Sequence, residues 1–147
     1  MNTSTTQMRI LMADDHAATL AQTARLIGEQ HEVVGTVTNG LDLLEAAARL
    51  NPDLIVLDIS IPGLDGLEAA RRLKKSGCRS RMVFLTVHED PDYAAEALAL
   101  GADAYVVKSR VASDLTTAIS AALAGRKFVS PSVPLVPAEE TKKQTYP

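Results

Sequence analysis

An apolar run, "RILMA", ends on two adjacent acids, Asp14 and Asp15. Another, "LIVL", ends on Asp58; "RMVFLT" ends on Thr86, and "AYVV" ends on Lys108. Two carboxylates about 4 Å apart repel by roughly 4 kcal/mol at an effective dielectric near 20, and a third acid adds to this. A hard divalent cation relieves such a cluster, and Mg²⁺ prefers carboxylate, carbonyl and water oxygens. A carboxylate beside a cation, an ammonium and a hydroxyl suits phosphoryl transfer. The carboxylate attacks phosphorus and becomes an acyl phosphate. The metal and the lysine neutralise the phosphoryl oxygens, and the threonine hydroxyl bonds one of them.

These residues act together only if one scaffold brings their strand ends to one rim. The chain alternates between two periods. Strands are expected over Arg9–Ala13, 32–38, 53–58, Arg81–Thr86 and 104–108. Helices are expected over residues 17–30, 40–51, 67–77, 90–101 and 113–125. Their apolar stripes include Leu20, Ala24 and Ile27, then Leu43, Ala46, Ala47 and Leu50, and finally Leu115, Ile119, Ala122 and Leu123. "IPGLDG" after Asp58 is turn chemistry, with Pro62 and Gly63 shaping a tight backbone. Five strand–helix repeats with short links imply one doubly wound α/β domain, a five-stranded parallel sheet with helices on both faces. In that architecture the ligand site lies beyond the carboxyl ends of the strands, where the acids, the threonine and the lysine all fall.

Composition sets the outer limits. The chain has 147 residues, 46% hydrophobic and 22% charged, which fits one domain with a proper core. A net charge of −3 argues against holding nucleic acid by bulk positive charge. No apolar run approaches bilayer length, and the polar start "MNTSTTQ" has no signal core, so no membrane partner and a cytoplasmic location are expected. The lone Cys78 sits in the loop-like "KSGCRSR" and reads as inert. "RRLKK" in the third helix reads as solvated surface. His16 reads as a helix-entry or rim residue. Residues 1–7 are expected to be a disordered N-terminus, 8–131 the folded domain, and the proline-bearing 132–147 a linker or tail.

"ADDH" after the first strand, "VLDISIPGLDG" at the third, "LTVH" at the fourth and "GADAYVVK" at the fifth together resemble a response-regulator receiver domain, of the CheY-like superfamily, over residues 8–131. "EVVGTVTNG", "IPGLDGLEAARRLKK" and "GRKFVSP" resemble the NarL/FixJ-type branch of two-component signalling. The resemblance implies a flavodoxin-like strand order, 2-1-3-4-5. It implies that Asp58 is the phosphoacceptor for a sensor histidine kinase, and that the domain catalyses only its own phosphorylation and dephosphorylation. Asp15 and Asp58 would ligate Mg²⁺ directly, Asp14 directly or through water, and the backbone carbonyl of Ser60 would complete the protein ligands. Thr86 and Lys108 would bind the phosphoryl group. Tyr105 would be the aromatic switch that turns inward when Thr86 moves, altering the surface of the fourth helix, fifth strand and fifth helix. His88 and the bulky Val87 would border the mouth and tune access to Asp58. Receivers of this branch precede a helix-turn-helix domain, so DNA contact is expected only through an output domain absent from this chain, with homodimerisation on phosphorylation.

Three rivals share parts of this pattern. A stand-alone receiver would dock a protein partner and have no DNA-binding domain. An aspartyl-phosphate phosphohydrolase of similar topology carries D-x-D after the first strand, whereas here the acids are adjacent. A flavin-binding domain of this fold needs a glycine- and hydroxyl-rich phosphate loop there, and "ADDHAAT" would repel a phosphate.

Overall fold

The computed structural model describes residues 7–133. The N-terminus and tail expected to be disordered or linker-like therefore lie outside the described residues, apart from Gln7, Ser132 and Val133. The chain runs β1 (Arg9–Ala13), α1 (Ala17–Gly28), β2 (Glu32–Val37), α2 (Gly40–Leu50), β3 (Leu54–Leu57), α3 (Gly66–Lys75), β4 (Arg81–Thr86), α4 (Pro91–Ala99), β5 (Ala104–Val107), a 3-10 turn (Lys108–Arg110), α5 (Val111–Leu123) and β6 (Phe128–Val129).

All strand pairs are parallel, in the order β2-β1-β3-β4-β5-β6. The expected order of the first five strands holds, and β6 is an addition. A two-residue strand has no periodicity of its own. It forms because the Phe128 amide donates to the Asp103 carbonyl (3.2 Å) and the Ser130 amide to the Tyr105 carbonyl (2.9 Å), which pairs part of the β5 edge.

Alternation along the strands separates two cores. Leu11, Ala13, Ile55, Leu57, Phe84 and Tyr105 face α2, α3 and α4. Ile10, Met12, Val56, Val83, Leu85 and Val106 face α1 and α5. The central strands β3 and β5 are buried at every position, as both-face coverage requires. The stripe residues Leu43, Ala46, Ala47, Leu115, Ile119 and Ala122 are all buried. Helix α5 starts at Val111, before the expected entry, because the 3-10 turn feeds straight into it. Ser113 lies inside the first turn, and its hydroxyl donates to the Arg110 carbonyl at 3.2 Å.

Short capped entries hold the loops at the site end. Asn39 accepts from the Asp42 amide, Asp65 from the Glu68 amide and Asp90 from the Asp92 amide, with Pro91 opening α4. The turn after β3 is packed tightly. Gly66 donates its amide to the Ile59 carbonyl at 2.7 Å, and a Cβ there would overlap the Asp58 carbonyl. Gly40 donates to the Pro62 carbonyl, and a Cβ there would overlap the Leu64 carbonyl. The basic run of α3 lies at the surface, where Arg71 pairs with Glu68 and Glu96, and Arg72 with Glu68. Among the described residues no helix is long and apolar enough to cross a membrane.

Candidate functional site

The sheet ladder itself places the acids. Asp14 donates its amide to the Val37 carbonyl at 3.0 Å, and Asp58 donates to the Ala13 carbonyl at 3.0 Å. Each acid thus occupies the next rung beyond its strand, on adjacent strands, with its backbone fixed by the neighbour. Both side chains are buried, whereas Asp15 is exposed. Lys108, the first residue after β5, reaches back across the rim. Its Nζ lies 2.8 Å from Asp14 Oδ2 and 2.9 Å from Asp58 Oδ2. Burial disfavours the ammonium, but the bonds to Asp14 and Asp58 outweigh it and raise the lysine above its ordinary value.

His16 belongs to this cluster more closely than a rim residue would. Its Nδ1 lies 3.1 Å from Asp14 Oδ1, 3.3 Å from Asp15 Oδ1 and 3.4 Å from Lys108 Nζ. One ligand atom each from Asp14, Asp15, His16 and Asp58 falls within 4.8 Å of the others. In "ADDH" only adjacency hinted at this. The donor set fits a divalent cation. Three carboxylates face one ammonium, which leaves two negative charges for a cation to balance, and carboxylate oxygens are what Mg²⁺ prefers.

The remaining expected residues form a second layer linked through His88. Thr86 is fully buried, and its Oγ1 accepts the His88 amide at 3.4 Å. Tyr105 is also fully buried, with its hydroxyl donating to the His88 carbonyl at 2.9 Å. Burial first, then the negative charge of Asp58, pushes the Tyr105 phenol well above its ordinary value. Ser60, two residues past Asp58, donates its amide to Asp58 Oδ1 at 3.3 Å. Its hydroxyl lies 2.6 Å from His88 Nε2, and the His88 ring packs on Tyr93 with centroids 4.6 Å apart. His88 therefore bridges the loop after β3 to the loop after β4. Val87 beside it is 61% exposed, so its bulk stands in solvent.

The site is thus the rim of a doubly wound sheet at which carboxylates from the ends of β1 and β3 gather around a lysine from the end of β5. The profile of the response regulator receiver domain matches residues 10–120, and the chain belongs to that family. It is a receiver of the NarL/LuxR type. The nitrate/nitrite response regulator NarL of Escherichia coli K12 is 36% identical over 123 residues, covering 82% of this chain and 57% of that protein. A LuxR-family two-component response regulator from Aurantimonas sp. SI85-9A1 superposes with a TM-score of 0.83 at 30% identity, covering 95% of this chain and 98% of that one. The isolated receiver of RcsB from Salmonella enterica serovar Typhimurium, solved with the phosphomimetic BeF3-, gives 0.78 at 26% identity, covering 87% and 96%. The chain spans 57–64% of the length of the curated relatives it matches.

Proposed function

We propose that Asp58 accepts the phosphoryl group and that Lys108, Thr86 and Tyr105 read its arrival. One observation carries this: an ammonium from the end of β5 bonds at once to carboxylates from the ends of β1 and β3, at 2.8 and 2.9 Å. A buried carboxylate with so short a contact to a lysine has a ready cationic partner for new charge on its oxygens. An Asp58 oxygen attacks phosphorus, a new O–P bond forms, and the P–N bond to a kinase histidine breaks, leaving a neutral imidazole once it takes up a proton. Lys108 can then shift from carboxylate to phosphoryl oxygen without losing a charged partner. The Ser60 amide, 3.3 Å from Asp58 Oδ1, and the Thr86 hydroxyl at the end of β4 are the further donors this reading assigns to the phosphoryl oxygens. Asp14, Asp15 and Asp58, with the Ser60 carbonyl, are the residues that would hold Mg²⁺, whose role there is to neutralise phosphoryl charge.

The contact of His88 Nε2 with the hydroxyl of Ser60, whose amide bonds Asp58, supports a role for His88 in limiting water attack on the acyl phosphate. The relatives' greater length, and the names of two Bacillus subtilis relatives, YvfU and DesR, as transcriptional regulatory proteins, support an output through a DNA-binding domain. A sensor histidine kinase as donor, homodimerisation on phosphorylation and a cytoplasmic setting complete the reading. Self-phosphorylation and self-dephosphorylation are the only reactions it assigns.

Incubation with MgCl₂ and acetyl phosphate tests the central assignment. Intact mass should show one phosphoryl adduct, labile to hydroxylamine and absent from Asp58→Asn. An undiminished adduct on Asp58→Asn would sink it.

A further inference from the structure

A second carboxylate is buried away from the acidic rim. Asp114, in the first turn of α5, is 5% exposed, and Ser130, just past β6, is 1% exposed. The Ser130 hydroxyl donates to Asp114 Oδ2 at 2.8 Å and accepts the Val107 amide at 3.1 Å. Asp114 also accepts from Arg110 Nε at 2.7 Å, Arg110 Nη2 at 3.3 Å and Ser113 Oγ at 3.1 Å. Burial opposes ionisation of Asp114, but the bonds from Arg110, Ser130 and Ser113 outweigh it and hold the carboxyl below its ordinary range.

The partners of this pair are the two flanks of Lys108. Val107 precedes Lys108, and Arg110 closes the 3-10 turn that carries it. The Ser130 amide, meanwhile, donates to the Tyr105 carbonyl at 2.9 Å. Ser130 is therefore bonded on both sides of Val106, once toward the switch tyrosine and once toward the lysine. Its own carbonyl accepts the Val133 amide at 3.0 Å, and Val133 is buried in the core that contains Tyr105 and Val107. A buried hydroxyl that both donates and accepts cannot move away from one partner without straining the other.

We propose that Asp114 and Ser130 are positioning residues that set the turn carrying Lys108 and join it to the segment leaving β6, so that Lys108 and residues 128–133 move together. This rests on Lys108 binding the phosphoryl group. When Lys108 shifts toward a new anion, the Val107 amide and the Arg110 guanidinium shift with their turn. The Ser130–Asp114 pair passes that displacement to the outgoing chain. In this scheme the route from site to exit is four residues of one hydrogen-bonded chain and needs no rearrangement of α4.

Hydrogen exchange on the full 147-residue chain, with and without beryllofluoride and MgCl₂, tests this alongside fluorine-19 measurement of beryllofluoride affinity. In wild type, beryllofluoride should change exchange at both 104–110 and 128–133. Ser130→Ala should weaken beryllofluoride about tenfold, the equivalent of one buried hydrogen bond, and lose the response at 128–133 while keeping it near Asp58. Ser130→Thr, which keeps the hydroxyl, should restore both, an outcome a purely stabilising serine would not require. Should Ser130→Ala fail to fold, Asp114→Asn replaces it, and the wild-type exchange measurement stands without any variant. Normal binding in wild type with unresponsive residues 128–133, or a wild-type response in Ser130→Ala, overturns the coupling alone. Failure of beryllofluoride to bind wild type removes the phosphoacceptor reading and this proposal with it.

Discussion

Tyr105 donates its hydroxyl to the backbone carbonyl of His88, 2.9 Å away, from a position with no solvent exposure. The aromatic ring expected to turn inward during switching is inside here, anchored to the loop that follows Thr86. Its ring packs at 6.4 Å from Phe84, so it is also a core residue of β5. A single side chain therefore contributes both a packed ring and a hydrogen bond, and the two contributions separate by mutation.

Tyr105→Phe keeps the ring and removes the hydroxyl. It should cost about 1 kcal/mol, the net worth of one hydrogen bond. Tyr105→Ala empties a core site and should cost about 3–5 kcal/mol. Urea unfolding of both variants checks the ratio. Equal losses would mean that the ring contributes nothing to the core.

Gly66→Ala should be among the most damaging small substitutions in the chain. Its Cβ would overlap the carbonyl of Asp58 itself, and the Gly66 amide is bonded to the Ile59 carbonyl at 2.7 Å. Backbone on both sides leaves no side chain to yield. Expect loss of soluble protein, or a melting temperature lower by several degrees with no acetyl phosphate adduct. Gly28→Ala meets nothing within 4 Å and is the control that should leave both unchanged.

MgCl₂ should raise the melting temperature by more than an ionic-strength-matched NaCl control. A ligand specific to the native state adds about 2.7 kcal/mol at a hundredfold excess over its Kd. Asp15→Ala should remove most of that rise, because it takes away the exposed carboxylate of the cluster and leaves the Lys108 contacts to Asp14 and Asp58 intact. Identical shifts in wild type and variant would exclude Asp15 as a ligand.

His31 makes the fold acid-sensitive away from the site. It is 8% exposed, its Nδ1 accepts the Met8 amide at 3.1 Å, and burial lowers it below its ordinary 6.5. A depressed value means that the folded state prefers the neutral ring. The contribution is complete above 6.5 and is lost as pH falls through the folded-state value. Urea midpoints of wild type and His31→Gln should therefore converge between neutral and mildly acidic pH, with wild type falling faster. Parallel profiles would show that His31 titrates equally in both states.

His88→Ala removes the ring that bridges Ser60 and packs on Tyr93 while leaving the backbone that Tyr105 uses. The phosphorylated form should lose its adduct several-fold faster, followed by intact mass after removal of acetyl phosphate. An unchanged half-life would show that the bridge does not limit water.

The sheet and its rim were readable because the physical signals there are strong. Buried parallel strands are continuous apolar runs, and Asp14, Asp58, Thr86 and Lys108 interrupt those runs at the same end of the sheet. Helix stripes such as Leu43, Ala46 and Ala47 follow from the same burial. The misses share a different cause. Phe128 and Val129 form a strand only because β5 offers a free edge, which no local pattern states. Asp114 and Ser130 look like ordinary surface polars in sequence, because their partners are supplied by the turn after β5 and by each other. His16 lies beside acids in the chain, but which way its ring points depends on Lys108, 92 residues further on. The roles of Pro62 and Gly63 as turn residues were legible, whereas the closeness of Gly40 to Leu64 arises only when α2 meets that turn.

The span of the Lys108–Asp58 bond has a further consequence. The two residues lie 50 positions apart and reach each other only across β4. During synthesis the ribosome releases both acidic loops well before the lysine. A nascent chain holding only β1 to β4 would display its carboxylates without their cationic partner, and closing that gap carries the entropy of a long loop. On the roles proposed for Asp58 and Lys108, competence to receive a phosphoryl group arrives in one step, when the fifth strand docks.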